Sequence, residues 1–219
     1  MKPKVLVSWS TGKDSAWCLH LLRQSGAWEV VGLVTTVNVV FGRVSMHGVR
    51  EELLERQAQV AGLSLWKVPL PYPCPNEAYE SAMRELIARA KQAGVSHFAF
   101  GDLFLQDIRD YRERQLAGTG IAPLFPLWGV DTRQLVGEMI ASGVQAVVSC
   151  VDPRQIPAAL VGHALDETFL QALPPTADPC GENGEYHTFC TAGPMFSSPL
   201  RVQRGEVVER DGFVYIDLF

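Results

Sequence analysis

The sequence has little that would place the protein in a membrane or in the secretory pathway. No apolar run approaches the ~20 residues that a membrane-spanning helix needs. The first residues, Met1-Lys2-Pro3-Lys4, lead into a strand pattern without the hydrophobic segment of a signal peptide. The five cysteines include no Cys-x-x-Cys pair, which favours reduced thiols over a disulfide framework. These features predict a cytoplasmic protein without a membrane partner.

A surplus of basic residues is also absent. The net charge is −5 and the isoelectric point is about 5.5, which argues against a broad nucleic-acid-binding face. Of the 219 residues, 47% are hydrophobic and 20% are charged, as in a globular protein with a substantial core. This length accommodates one large domain or two small ones.

The pattern with the most chemical content lies near the N-terminus. Residues 5–8, which end at Ser8, have strand character, and Ala16, Leu19 and Leu22 have helical spacing. The first N–H groups of a helix lack partners within it, and the helix dipole places positive potential there. A short polar turn with three hydroxyls, a lysine and a flexible glycine separates the two elements. We name this turn the phosphate loop; it reads Ser10-Thr11-Gly12-Lys13-Asp14-Ser15.

Two simpler interpretations of this turn were weighed. A Walker A loop requires Gly where Val7 stands and Ser or Thr directly after Lys13, where Asp14 stands. The turn therefore differs from the Walker A loop of GTPases. The other alternative is an ordinary strand-to-helix turn in which Ser and Asp only cap the helix.

Strand and helix patterns alternate through the first two-thirds of the chain. Strands are predicted at 29–37, 64–69, 97–100 and 144–151, helices at 49–61, 76–93, 106–116 and 132–142, and loops at 38–46 and 71–75. This order predicts an α/β fold, a parallel sheet with helices on both faces. Such sheets bind ligands beyond the carboxyl ends of their strands. Ser10, Thr35, Thr36 and Asp102 fall at such ends, which predicts a nucleotide site there.

The alternation breaks near Trp128. Residues 118–129 form a connector rich in glycine, proline and aromatic residues. We therefore predict an ATP-binding domain at 1–128 and a smaller α+β domain at 129–219. The second domain ends in strands at 200–208 and 213–218, with a turn at Asp211-Gly212.

A second stretch of interest, residues 178–189, is named the acidic loop. It reads Asp178-Pro179-Cys180-Gly181-Glu182-Asn183-Gly184-Glu185-Tyr186-His187-Thr188-Phe189. Glu182 and Glu185 have no basic residue near them in sequence. Such a loop suits Mg²⁺, a cationic substrate group or an incoming amine, and the alternative is a solvated acidic turn. Cys180, His187 and Cys190 match no common zinc spacing.

Three basic residues outside these loops leave alternatives open. Arg109 and Arg112 belong to a charged helix pattern that is explained equally by a solvated face or by a clamp on a phosphate or carboxylate. His47 follows the second strand, where it either contacts the nucleotide or has a structural role.

The phosphate loop resembles the PP-loop of ATP pyrophosphatases, Ser-Gly-Gly-x-Asp-Ser, with Thr11 in place of the first Gly. The whole chain resembles the diphthine–ammonia ligase type within that group. The matching pieces are the phosphate loop, His47-Gly48-Val49-Arg50, Gly101-Asp102, Arg109-Asp110-Tyr111-Arg112-Glu113, Pro126-Leu127-Trp128-Gly129 and Gly181-Glu182-Asn183-Gly184-Glu185-Tyr186-His187-Thr188. The resemblance implies a HUP-type Rossmann-like domain and a smaller C-terminal domain.

The resemblance also implies a reaction. ATP and a carboxylate give an acyl-adenylate and pyrophosphate, and ammonia then gives the amide and AMP. In this scheme the catalytic residues are Lys13, Asp14, Glu182 and Glu185. ATP contacts are expected from Ser8, Ser10, Thr11, Gly12, Lys13, Asp14, Ser15, Thr35, Thr36, His47 and Asp102, with Mg²⁺ at Asp14 and Asp102. Substrate contacts are expected from Arg109, Arg112, Gly181, Glu182, Asn183, Gly184, Glu185 and Tyr186.

The acceptor carboxylate is the open part of this scheme. Diphthine occurs on the translocation factor of archaea and eukaryotes, so a bacterial source would imply another small molecule or protein. The ammonia source and the oligomeric state, including a homodimer, stay open. Two alternatives are a PP-loop enzyme that modifies RNA and an adenine-nucleotide sensor without turnover.

Overall fold

A computed structural model describes residues 1–44 and 48–219. The elements, in chain order, are β1 (Lys4–Ser8), α1 (Lys13–Ser25), β2 (Glu29–Asn38), β3 (Arg43–Val44), α2 (Glu51–Ala61), β4 (Leu65–Leu70), α3 (Asn76–Gln92), β5 (Val95–Ala99), α4 (Gln106–Leu116), β6 (Ala122–Leu124), α5 (Thr132–Ala141), β7 (Gln145–Val151), a 3₁₀ turn (Ala158–Leu160), α6 (Glu167–Ala172), β8 (Tyr186–Ala192), β9 (Arg204–Arg210) and β10 (Phe213–Leu218). Within the described ranges, no helix has the length and apolar character of a membrane span.

The first sheet is mainly parallel. Its parallel strands run in the order β4-β2-β1-β5-β6, and β3 pairs antiparallel with the end of β2. The chain moves outward from β1 through β2 to β4 and then returns to the other side of β1 at β5. The strand order therefore reverses between β1 and β5, and ligands of Rossmann-like folds bind at this position. The Rossmann-like prediction is confirmed.

Both faces of this sheet are covered by helices because successive strand residues point to opposite sides. Val5 and Val7 of β1 belong to the core that contains Leu19 of α1. Leu6 belongs to the other core, with Leu86 of α3 and Leu116 of α4. A buried strand between two helical layers needs apolar residues on both faces, which explains the unbroken Val-Leu-Val run.

The second sheet is antiparallel, with the order β8-β7-β10-β9. It forms the smaller C-terminal layer that the sequence predicts. Its residues Val147, Tyr186 and Phe189 share one apolar core with α1 and α2. The two sheets divide near residue 128, but the core crosses that point, so the domain boundary stays a prediction.

Four predicted segments differ from the structure. The predicted loop 38–46 contains β3; its residues 45 and 46 lie outside the described ranges. The predicted connector contains β6, a three-residue edge strand whose Pro123 is tolerated because an edge strand leaves one side unpaired. The last part of the acidic loop is strand β8, and the strand predicted from residue 200 begins at Arg204.

Candidate active site

The phosphate loop lies between β1 and the N-terminus of α1. Gly12 precedes the helix in an extended conformation and has no side chain that could cap it. Ser15 Oγ donates to the Gly12 carbonyl at 3.1 Å, and the Gly12 N–H donates to Ser10 Oγ at 3.3 Å. The hydroxyls thus hold the turn in shape, while the N-terminus of α1 offers positive potential to an anion.

Gly101 brings the end of β5 against this helix terminus. A Cβ on Gly101 would lie 3.0 Å from the Asp14 carbonyl carbon and 3.1 Å from Ser15 N, which is closer than side chains normally pack. Only glycine therefore allows the approach without a shift. The contact places Asp102 beside the phosphate loop, as the position of Asp102 at a strand end predicts.

Lys13 joins the phosphate loop to the acidic loop. Its side chain is buried, and Nζ donates to Asp14 Oδ2 at 2.8 Å and to the Cys180 carbonyl. Nζ also lies 5.3 Å from the ring centre of Tyr186. Burial lowers the pKa of Lys13, but the charge of Asp14 and its neighbours outweighs this, so the pKa is raised above its usual value. Lys13 is therefore a permanent cation at neutral pH.

The second sheet reaches the phosphate loop through its backbone and one hydroxyl. The Lys13 N–H donates to Thr188 Oγ1 at 3.1 Å, and the Cys190 N–H donates to the Thr11 carbonyl at 2.9 Å. Both partners lie on β8. The phosphate loop at the N-terminus of α1 is consequently held by residues of both sheets.

Three carboxylates from three segments, Asp14, Asp102 and Glu182, lie around the N-terminus of α1. Asp14 Oδ1 is buried and has no hydrogen-bond partner among the described residues. Asp102 Oδ2 lies 3.4 Å from Arg112 Nε, and the Arg112 guanidinium stacks 4.7 Å from the ring centre of Phe100. Within residues 1–44 and 48–219, no three acidic, His or Cys side chains are close enough to hold a metal ion by themselves.

Asp178 organises the acidic loop. Its Oδ2 accepts the N–H groups of Cys180 at 3.1 Å and Glu182 at 2.9 Å, and its Oδ1 accepts from Thr132 Oγ1 at 2.5 Å. Gly181 has a φ of +73°, and a Cβ there would lie 2.8 Å from the Tyr186 carbonyl oxygen. The loop therefore depends on glycine at position 181.

Glu182 and Glu185 have different environments. Glu182 lines a cleft between the phosphate loop and the acidic loop, and its Oε1 accepts the Leu103 N–H at 2.7 Å. Burial and the charges of Asp14 and Asp102 raise the pKa of Glu182 to about 7, although the bond from Leu103 opposes this. Glu185 is 1% exposed, and its Oε1 accepts from Asp178 N at 2.7 Å and Asn183 Nδ2 at 3.1 Å. Glu182 thus faces the cleft, whereas Glu185 holds the loop together.

The two loops enclose a cleft of about 440 Å³. We name it the main cleft. The predicted site residues that line it are Ser8, Ser10, Gly12, Lys13, Asp14, Ser15, Asp102, Arg112, Gly181, Glu182, Asn183, Gly184 and Tyr186. His187 also lines it, and burial, together with the charge of Lys13, lowers the pKa of His187 to about 4. His187 is therefore neutral at pH 7.

A second cleft of about 350 Å³ adjoins the first and shares Ser8, Ser10 and Arg112 with it. We name it the side cleft. Thr35 and Thr36 line it, together with Val34 and apolar and aromatic side chains from both neighbouring helices. Flat apolar walls with a few hydroxyls suit a purine base and a ribose. The placement of both threonines agrees with the expected adenosine contacts, which remain a prediction.

Three predicted site residues within the described ranges lie apart from both clefts. Arg109 does not line either cleft; its guanidinium lies 4.8 Å from the Trp128 ring centre, and it pairs with Glu113 at 2.8 Å. Thr11 and Glu185 are buried behind the loops to which they belong. His47 lies outside the described residues. Their predicted roles in binding and catalysis are not tested by the structure.

Several groups at the site were not singled out from the sequence. Thr188 and the Cys180 carbonyl contact Lys13 from a distant part of the chain, and a backbone carbonyl leaves no signal in a sequence. Tyr79 and Tyr111, whose side chains are hydrogen-bonded to each other, line the side cleft. An Asp followed by Pro and, two residues on, by Gly is a turn signal that identifies Asp178 as the anchor of a loop.

The chain was compared with known proteins after this geometry was established. No protein-family model matches it. It is similar to the diphthine–ammonia ligase of Bos taurus, with 28% identity over 154 residues, which are 68% of this chain and 58% of the relative. The Homo sapiens enzyme of that name is 36% identical over 93 residues, 40% of this chain and 35% of the relative. The Schizosaccharomyces pombe enzyme of that name is 31% identical over 94 residues, 41% of this chain and 16% of the relative. The chain thus covers less than two-thirds of each of these relatives.

Proposed function

The chain belongs to the diphthine–ammonia ligase family, and from this premise we propose that it is an ATP-dependent ligase that adenylates a carboxylate and transfers ammonia to it. The observation that carries the proposal is the position of Lys13. This buried cation contacts Asp14 on the phosphate loop and Cys180 on the acidic loop, so both loops face one cleft. A nucleotide held by the first loop therefore meets whatever the second loop holds.

ATP binds in this proposal with its phosphates at the N-terminus of α1 and its adenosine in the side cleft. The N-terminus of α1 and Lys13 supply positive potential for the phosphates. The hydroxyls of Ser10 and Ser15 add polar contacts at the same place. Thr35 and Thr36 then face the nucleoside. The two clefts share Ser8 and Ser10, so one ligand spans both.

Mg²⁺ fits the residues that would surround the triphosphate. Asp14 Oδ1 is a buried oxygen without a partner among the described residues, and Asp102 lines the same cleft. Carboxylate and phosphate oxygens are the ligands that Mg²⁺ prefers. These two carboxylates would hold the ion together with phosphate oxygens. When bound, the ion would offset the phosphate charges.

In the first chemical step, an acceptor carboxylate oxygen attacks the α-phosphorus of ATP. A bond to the carboxylate oxygen forms, the bond to the bridging oxygen breaks, and pyrophosphate leaves. Lys13 is permanently charged and stays close to the leaving oxygens, so it stabilises the developing charge. The enzyme otherwise contributes orientation of the two reactants.

In the second step, ammonia attacks the acyl carbon, and AMP leaves with the former carboxylate oxygen. A nitrogen nucleophile must lose a proton on the way to the neutral amide. Glu182 lies in the cleft with a pKa of about 7, so its carboxylate is a suitable acceptor for that proton. Ammonium is attracted by the surrounding carboxylates and loses one proton to solvent, so that neutral ammonia attacks and Glu182 takes the proton lost after the attack.

The acceptor class is proposed from the charge of the cleft. Asp14, Asp102 and Glu182 make this region acidic, and Phe213 and Leu105 add apolar surface. Such a surface suits a carboxylate substrate that also carries a cationic group, as diphthine does. A bacterial source would imply another carboxylate of the same kind.

The proposal is tested by measuring AMP and pyrophosphate with purified protein, ATP, Mg²⁺ and candidate acceptors, with and without ammonium. With the right acceptor we expect equal amounts of AMP and pyrophosphate. An acceptor with isotopically labelled carboxylate oxygens should transfer one label to AMP. AMP formed only with RNA would support the RNA-modifying alternative, and ATP binding without AMP under every condition would support a nucleotide sensor.

A further inference from the structure

We propose that Gln57 is a positioning residue for the phosphate loop. Its side-chain amide fixes the peptide between Thr11 and Gly12 so that the N–H, and not the carbonyl oxygen, is on the phosphate side. The inference rests on the proposed function, because it assumes that this loop binds the phosphates of ATP. Gln57 lies on α2, far from the loop in sequence, and lines neither cleft.

The Gln57 side chain is completely buried, with 0% exposure. Its Oε1 accepts from Trp9 Nε1 at 2.9 Å. Its Nε2 donates to the Thr11 carbonyl at 3.0 Å and to the Cys190 carbonyl at 2.6 Å. An amide nitrogen has two hydrogens, so both donors are used. One side chain therefore joins the end of β1, the phosphate loop and β8.

Thr11 needs support of this kind. Its φ is +73°, and its side chain is buried with an Oγ1 that has no partner among the described residues. A left-handed conformation is unfavourable for an L-residue, and a β-branched side chain is especially rare there. The side chain of Thr11 thus disfavours the observed backbone. Two hydrogen bonds to its carbonyl, from Gln57 and from the Cys190 N–H, oppose that preference.

Peptide planarity links the Thr11 carbonyl to the ligand side. The C=O and the following N–H of a trans peptide point in opposite directions. Because the Thr11 carbonyl points inward to Gln57 and β8, the Gly12 N–H points the other way, toward Ser10 Oγ. Ser10 and Gly12 both line the main cleft. A rotation of this peptide would place a carbonyl oxygen toward the phosphates and would repel them.

Two variants remove the proposed support. Gln57→Glu keeps the size of the side chain but replaces both donors, and Gln57→Met keeps the approximate volume without polar atoms. Gln59→Glu, at an exposed position on the same helix, is the matched control. The dissociation constant of ATP with Mg²⁺ is measured by calorimetry, and folding is followed by thermal unfolding. We expect ATP binding to weaken about tenfold or more in the Gln57 variants and less than twofold in the control.

A rescue experiment separates positioning from a general effect on the core. Glycine adopts positive φ without a penalty, so Thr11→Gly should make the loop less dependent on Gln57. We expect the double variant with Gln57→Glu and Thr11→Gly to bind ATP at least threefold more tightly than Gln57→Glu alone. No restoration, or unchanged ATP binding in both Gln57 variants, would overturn the inference. The inference would also be overturned if both Gln57 variants failed to fold and the addition of Thr11→Gly did not restore folding.

These outcomes are distinct from a failure of the proposed function. If the unmodified protein does not bind ATP at all, the proposed function is wrong, and this inference falls with it. If the unmodified protein binds ATP and the Gln57 variants bind it equally well, only the inference about Gln57 is wrong.

Discussion

The phosphate loop and the acidic loop face each other across the main cleft, but they are held rigid in different ways. The phosphate loop is supported by groups from other elements, Gln57 of α2 and Thr188 and Cys190 of β8. The acidic loop is supported by its own side chains, because Asp178 and Glu185 accept hydrogen bonds from its backbone. In the first arrangement, Asp14 lines the main cleft with one carboxylate oxygen that has no partner among the described residues. The second uses two carboxylates for structure and leaves Glu182 at the cleft.

This difference means that equivalent substitutions should act differently in the two loops. In the phosphate loop, loss of a polar side chain should remove activity and spare the fold. In the acidic loop, the result should depend on which carboxylate is changed. Five predictions test the comparison, from the largest expected effect to the smallest.

Asp14→Asn should have the largest effect on activity. The substitution preserves the shape of the side chain but removes the charge that the proposal assigns to Mg²⁺ and to Lys13. We expect AMP release to fall by about 10³-fold or more, since such groups contribute through transition-state charge. Asp107→Asn, in the exposed first turn of α4, is the control and should retain full activity. Near-normal turnover in Asp14→Asn would remove the proposed role.

Glu182→Gln should slow amide formation by about 10²-fold, the usual contribution of a general base. In the unmodified protein, the rate should rise with pH through about 7, because only the deprotonated carboxylate of Glu182 accepts the proton. The ammonium equilibrium makes the rate of both proteins rise with pH, so the comparison isolates Glu182. The additional rise below about pH 7 should be missing from the Glu182→Gln profile. Identical pH–rate profiles of both proteins would contradict this assignment.

The raised pKa of Glu182 also makes stability depend on pH. The folded protein binds the proton more tightly than the unfolded chain, so the contribution of Glu182 to stability is present at low pH. It is lost as the pH rises from the ordinary glutamate value toward about 7. Urea unfolding at several pH values should show this decline in the unmodified protein and a smaller one in Glu182→Gln.

Glu185 should behave as a structural residue. Glu185→Ala removes the acceptor of the Asp178 N–H and the Asn183 amide, and we expect a loss of about 2–3 kcal/mol in the free energy of unfolding. Glu185→Gln retains an oxygen for these donors and should change stability by less than about 1 kcal/mol. Urea unfolding measures both. Equal losses in the two variants would mean that the hydrogen bonds are not what holds this loop.

Local patterns account for much of what the sequence predicts correctly. The strand-turn-helix signal at residues 5–22 and the alternation of elements depend on neighbouring residues, and the parallel sheet with helices on both faces follows from general rules of α/β folds. Glu182 and Glu185 could not be distinguished in the same way. Both are acidic residues in one loop, and only the fold shows which of them meets the backbone of Asp178 and which meets that of Leu103.

Long-range contacts account for most of what the sequence could not show. The bond from Lys13 to the Cys180 carbonyl spans 167 positions, and that from Gln57 to Thr11 spans 46. Gln57 belongs to a helix whose amphipathic pattern gives no reason to expect an amide in the core. The short strand β6 was missed because its Pro and Gly neighbours indicate a loop. Thr11 is a mixed case, since its departure from the Gly of the PP-loop pattern is visible in the sequence but its conformation is not.

The smallest expected effect concerns that departure. Thr11→Gly and Thr11→Ala remove the same outer atoms, but only alanine retains a Cβ at a φ of +73°. Thr11→Gly should therefore be more stable than Thr11→Ala by about 1 kcal/mol, as measured by urea unfolding. The control is Gly137, inside α5, where a Cβ would meet nothing within 4 Å. There the order should reverse, and Gly137→Ala should stabilise the protein by roughly 0.5–1 kcal/mol. If alanine were preferred at both positions, the left-handed backbone at Thr11, and with it the external support of the phosphate loop, would be ruled out.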